Sequence, residues 1–210
     1  MTKIILTRHG HVEGISPERF RGRTDVPLTE KGECQARAVA TRIASGWKPR
    51  TVYTSPMSRC VVTGSEIARA CGVTSEVLDD LNDLDYGEWQ WKTYLEVRSE
   101  NPTLFTAWQE RPHLVRFPDG DSLQDLVART ADVVRFVLAN HPGDDEMVVL
   151  VGHDSVNRAL MLQLVDQPLS AYWRIAQGPC AINEIDIIKG QVQVLRINET
   201  AHLAPISGSP

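Results

Sequence analysis

Short apolar runs alternate along this chain with longer stretches in which apolar residues recur every three or four positions. The short runs predict strands: KIILT at 3–7, TVYTS at 51–55, TSEVL at 74–78 and MVVLVG at 147–152. MVVLVG has no polar position at all, as expected of a central parallel strand covered on both faces. The longer stretches predict helices. One runs from Thr29 as N-cap to Gly46 as a stop, and another from Ser58 to Gly72. A third is capped by Ser122 and runs to about Asn140, with Leu123, Leu126, Val127, Val133, Val134 and Val137 on its apolar face. A fourth spans about 155–165. Residues 94–109 read as one or two short helices, and 111–122 as a loop rich in Pro, Asp and Gly. CAINEIDII and QVQVLRIN flank Lys189-Gly190 and predict a hairpin; the tail at 201–210 is expected to be loose.

Strands alternating with helices imply a three-layer α/β/α sandwich around a mainly parallel sheet. The 210 residues suit a single domain, 1–210, and contain no repeat and no linker. In such sheets ligands gather at the carboxyl ends of the strands. Arg8 and His9 follow the first strand, Ser55 to Arg59 the second, and His153 and Asp154 follow MVVLVG. Two histidines and two arginines are therefore expected at one sheet edge.

Composition narrows the classes. The net charge of -5 argues against a basic nucleic-acid face, although local positive pockets remain open. No stretch approaches the roughly 20 apolar residues of a membrane span. Lys3 is followed by only three apolar residues before Arg8 and His9, which is not a secretory pattern, so the expected location is cytoplasmic. Four cysteines without a CxxC pair give no support to structural zinc or a disulfide framework.

Arginine forks match phosphate or carboxylate oxygens, and histidine serves as nucleophile or as acid/base. A pocket of Arg8, Arg59 and His153 would attract an anion, and neutral His9 could attack phosphorus. The neighbouring cations should depress the pKa of His9, and its second ring nitrogen needs an acceptor such as a backbone carbonyl. A leaving alcohol also needs a proton donor. Asp83, Asp85, Glu88 and Asp154 are the candidates.

Five segments, in order, carry a resemblance. LTRHGHVEG, RGRTDVPLTEKGECQA, YTSPMSRCVVTGSEIA, LNDLDYGEW and VLVGHDSVNRAL resemble the signature stretches of the histidine phosphatase superfamily, first branch, the phosphoglycerate mutase-like fold. The resemblance implies a phosphomonoesterase that needs no metal or organic cofactor and acts on a small phosphorylated metabolite. His9 would carry the phosphoryl group, Arg8, Arg59 and His153 would complete the phosphate pocket, and Asp83 would take the donor position, where the family usually has Glu. Asp154 holds the position of the donor in the second branch. Where the family often has the Thr and Asn of RHGET-x-x-N, this chain has Val12 and Ile15, and His11 replaces the Glu. Phosphate donors are then expected from near Gly10 or from His11. Arg19, Arg21 and Arg23 crowd one loop and are candidates for a second anionic group, Arg21 foremost. Specificity is assigned to 10–28 and to an insertion at about 91–121.

Three other readings compete. A phosphoglycerate mutase-type transferase would carry a longer central segment. A metallohydrolase would use His9-Gly10-His11 as an H-x-H pair, against the repulsion of Arg8 and Arg59. A non-catalytic phospho-ligand binding protein would keep the pocket without turnover.

Overall fold

The computed structural model describes residues 1–143 and 146–207. Its centre is a six-stranded sheet made of β1 (Thr2–Arg8), β2 (Thr51–Thr54), β3 (Thr74–Val77), β4 (Glu146–Gly152), β5 (Ile182–Ile188) and β6 (Gln191–Glu199), in the spatial order β3-β2-β4-β1-β5-β6. The first four strands in that order are parallel; β5 runs antiparallel to β1, and β6 to β5. The helices are α1 (Glu30–Gly46), α2 (Ser58–Cys71), α3 (Tyr94–Glu100), α4 (Pro102–Glu110), α5 (Leu123–Asn140), α6 (Asp154–Leu164) and α7 (Ala204–Ser207).

Side-chain alternation along the strands separates two cores. Ile5, Val149, Val151 and Val52 pack with Val39 and Ile43 of α1 and Ile67 of α2. Ile4, Leu6, Val148 and Leu150 pack with Leu126, Val133 and Val137 of α5 and Leu160 of α6. This is the expected three-layer α/β/α arrangement. Capping fixes the helix starts. The Thr29 side chain accepts from Gly32 N, and Ser122 and Asp125 form a reciprocal capping box. The β5–β6 hairpin turns at Lys189 (φ 52) and Gly190 (φ 80), which supply the two left-handed residues such a tight turn needs.

One sequence expectation is corrected. The tail is not loose through its described part: 201–203 form a 3-10 turn that continues into α7, and Leu203, 6% exposed, packs beside α1 and α2. Leu203 and the half-buried Ile206 anchor it, and two apolar side chains in so short a segment are too weak a periodic signal to register. Residues 208–210 of that tail lie outside the described residues. Among the described residues no helix is long and apolar enough to cross a membrane.

Candidate active site

β1, β4 and β2 are adjacent and parallel, and their carboxyl ends are level: Arg8 pairs with Gly152 and Thr54 with Val151. The chain leaves β1 and β2 towards the layer of α1 and α2, but leaves β4 towards that of α6. Connections that part to opposite faces open a crevice between neighbouring strands. Arg8, His9, Ser55 and His153 stand at its rim, as the sequence predicts.

His9 is 1% exposed. Its Nδ1 lies 2.7 Å from the Gly10 carbonyl, which can only accept, so Nδ1 carries the proton and Nε2 keeps its lone pair. Burial holds its pKa well below the ordinary histidine range, and Arg59, His153 and Arg8 push in the same direction. The His153 ring meets it edge to face, with centroids 5.3 Å apart. His153 is likewise kept neutral, by burial first and by Arg59 and Arg8 next. Its Nε2 is 2.8 Å from Ser55 Oγ.

The two arginines are fixed from behind. Arg59, fully buried, donates to the carbonyls of Thr24 (2.8 Å) and Gly22 (2.7 Å). Arg8 Nη1 donates to the Gln177 carbonyl at 2.7 Å. Arg8 Nε and Arg59 Nε are buried donors without a hydrogen-bond partner among the described residues. Buried donors are rarely left without an acceptor, so a polar pocket of this kind suits an anion.

Asp83, of the two leading carboxylates, joins the cluster. Its Oδ2 is 3.3 Å from Arg59 Nη2 and 3.4 Å from His153 Nδ1; its Oδ1 accepts from the Ser155 hydroxyl and from Leu84 N. Arg129 of α5 grips the loop beneath it through the carbonyls of Asp80, Asn82 and Asp83. Asp154 instead binds Arg158 Nε at 3.0 Å and lies 3.8 Å from Arg8 Nη1. Asp85 and Glu88 are absent from the cavity lining; Asp85 pairs with Arg23.

A cavity of about 340 Å³ opens beside Arg8, His9, Asp83 and Ser155. Its lining includes Glu18, Arg19, Arg21, Tyr86, Tyr94, Asp154, Arg158, Trp173, Gln177 and Asn198. Arg21 and Arg19 are therefore at the cavity, whereas Arg23 is tied to Asp85 and Asp121 outside it. Gly10, His11, Arg59 and His153 do not line it, although Arg59 and His153 contact Asp83, which does. The Gly10 N–H donates to Thr63 Oγ1, and a Cβ at Gly10 would stand 2.4 Å from Gly32 O, so this glycine serves the close crossing of the loop over α1. The His11 ring turns to Thr29 Oγ1, at 2.9 Å, and the His11 main-chain N–H donates to Gln35 Oε1. Thr63 of α2, the N-cap Thr29 and Gln35 of α1 thus compete successfully for these groups. Among the described residues no three His, Cys, Asp or Glu gather as a metal-ligand set. Cys60 is fully buried and donates to the Gly152 carbonyl; burial pushes its thiol far up, which removes it as a nucleophile.

Sequence reasoning missed Ser155, Tyr86, Tyr94, Arg158, Trp173, Gln177 and Asn198. Ser155 and Arg158 had a signal, since they lie in the first turns of the helix that follows His153. Gln177 and Asn198 had none, because they reach the site from loop and edge strand far along the chain.

Comparison with known proteins shows the family and the fold. A profile of the histidine phosphatase superfamily (branch 1) matches residues 4–200. Phosphoserine phosphatase 1 of Hydrogenobacter thermophilus is 30% identical, over 97% of this chain and 95% of its own. The metal-independent phosphoserine phosphatase of Arabidopsis thaliana is 30% identical over 78% of this chain and 69% of its own. The solved structure of Bacillus stearothermophilus YhfR superposes with a TM-score of 0.90 at 26% identity, covering 97% of this chain and 100% of that one.

Proposed function

The chain belongs to branch 1 of the histidine phosphatase superfamily, and from that premise we propose that this phosphomonoesterase works through a phosphohistidine on His9. The observation that carries the assignment is the His9 ring itself: neutral, buried, with Nδ1–H tied to Gly10 and a free Nε2 among Arg8, Arg59 and His153. The phosphoryl oxygens take Arg8, Arg59 and His153 as partners, which stabilises the charge that builds on them. His9 Nε2 forms a bond to phosphorus as the ester P–O bond breaks. Asp83 supplies the proton to the departing alcohol oxygen. Its carboxylate then takes a proton from water, whose oxygen displaces Nε2 and releases inorganic phosphate.

The substrate in this reading is a small phosphate ester carrying a carboxylate or ammonium group. Arg21 and Arg158 can take the first, and Glu18 and Asp154 the second. Phosphoserine, named in two relatives, has both groups and is the first ester to assay. The 91–121 segment supplies Tyr94 to the cavity wall, which supports its role in specificity.

Steady-state hydrolysis of p-nitrophenyl phosphate and of phosphoserine in excess EDTA, with His9→Ala alongside, tests the mechanism. Turnover that survives the chelator and falls by roughly a thousandfold or more in the variant is expected. An active His9→Ala protein would overturn it, and turnover lost to EDTA would favour a metallohydrolase.

A further inference from the structure

β5 carries a polar residue where its neighbours on the same face are apolar. Asn183 shares that face with Ile185 and Ile187, which belong to the core covered by α5 and α6, and it is fully buried. A carboxamide in such a place is unfavourable unless all its hydrogen bonds are made. Asn183 makes them all. Its Nδ2 donates to the Leu6 carbonyl (3.0 Å) and to Gln177 Oε1 (2.9 Å), and its Oδ1 accepts from Gln177 Nε2 (2.9 Å) and from Asn198 N (2.9 Å).

Every partner leads to the candidate site. Leu6 stands opposite Asn183 in the β1–β5 ladder, two residues before Arg8. Gln177, 3% exposed, is held by the reciprocal amide pair and receives Arg8 Nη1 on its main-chain carbonyl. Asn198 Oδ1 accepts from Gly178 N at 2.7 Å and pins the next residue of the same loop. Two residues further, Cys180, at φ 53, donates its N–H to the carbonyls of Arg8 (3.0 Å) and His9 (3.3 Å). The 177–180 loop thus grips both the side chain of Arg8 and the main chain of Arg8 and His9.

We propose that Asn183 is a positioning residue for the phosphate site, acting through the Gln177 amide to hold the Gln177 carbonyl where it orients the Arg8 guanidinium. The proposal rests on Arg8 being a phosphate-binding group. A guanidinium on a flexible stem gains from a fixed acceptor, because less rotamer freedom remains to be lost when the anion arrives. Nothing else in this face of β5 requires a carboxamide; an aliphatic residue would pack there.

The test is a double-mutant cycle on p-nitrophenyl phosphate hydrolysis with Arg8→Ala and Asn183→Ala, each variant assayed well below its thermal midpoint. Alone, Asn183→Ala is expected to lower kcat/KM by about tenfold to a hundredfold and to raise the inhibition constant of inorganic phosphate. In the Arg8→Ala background the same change is expected to cost less than about threefold. Gln177→Ala, which leaves Asn183 its bonds to Leu6 and Asn198, should give the same non-additivity with less risk to folding. Full additivity, or a lower thermal midpoint with an unchanged phosphate inhibition constant, overturns the proposal and leaves Asn183 a fold-stabilising residue only. Arg8→Ala with wild-type kcat/KM would instead overturn the phosphate-site reading on which it rests.

Discussion

His9 and His153 are both buried and both held neutral, which ties the site to pH through a sign that can be worked out. In the unfolded chain each takes up a proton near pH 6.5. In the folded protein each does so only at lower pH, because burial and Arg59 oppose the charge. Between those limits the unfolded state binds more protons, so their contribution to stability is present above pH 6.5 and is lost as pH falls below it. Urea midpoints from pH 8 to pH 5 should decline less steeply in His153→Gln than in the wild type. Equal declines would show that His153 protonates freely in the folded protein. The residue types at this site were legible in the sequence because Arg, His and Asp have few bland reasons to follow buried strands. The fates of Gly10 and His11 were not, since they depend on Thr63 and Thr29, hydroxyls that only folding brings near.

The strands and main helices were predicted almost to the residue where caps, left-handed turn positions and uninterrupted apolar runs coincide. Ser122, Thr29, Gly72 (φ 69) and Lys189-Gly190 mark such places. Contact between elements was less legible. Gly10 and Gly32 let the loop after His9 cross the first turn of α1, with a Cβ on Gly32 only 2.1 Å from the His11 carbonyl. Gly32→Ala should therefore cost about 1–3 kcal/mol, the usual range for overpacking, and should also lower kcat by displacing the Gly10 carbonyl that holds His9. Thermal unfolding and p-nitrophenyl phosphate kinetics measure both effects. A stable, fully active variant would mean that the crossing relaxes freely.

Across the whole molecule, two cores on opposite faces of one sheet meet at the crevice, and the C-terminal turn closes one of them. Leu203→Ala should cost about 2–4 kcal/mol in a denaturant titration, as for a buried leucine; a loss under about 0.5 kcal/mol would return the tail to the status of a loose end. Periodicity was enough to read the α/β sandwich, strand-end chemistry the grouping of His9 with Arg8, Arg59 and His153, and the five signature segments the family resemblance. These are properties of short segments, each of which writes its own pattern of burial and charge. The dismissal of Arg23 to a structural pair and the carboxamide brace of Asn183 and Gln177 behind Arg8 were not written locally, whereas Asp83 was already favoured through the resemblance. The pair and the brace depend on groups far apart in the chain, Arg23 and Asp121 at a separation of 98 and Asn183 and Leu6 at 177, and a carboxylate or amide takes its role from the partner it finds there.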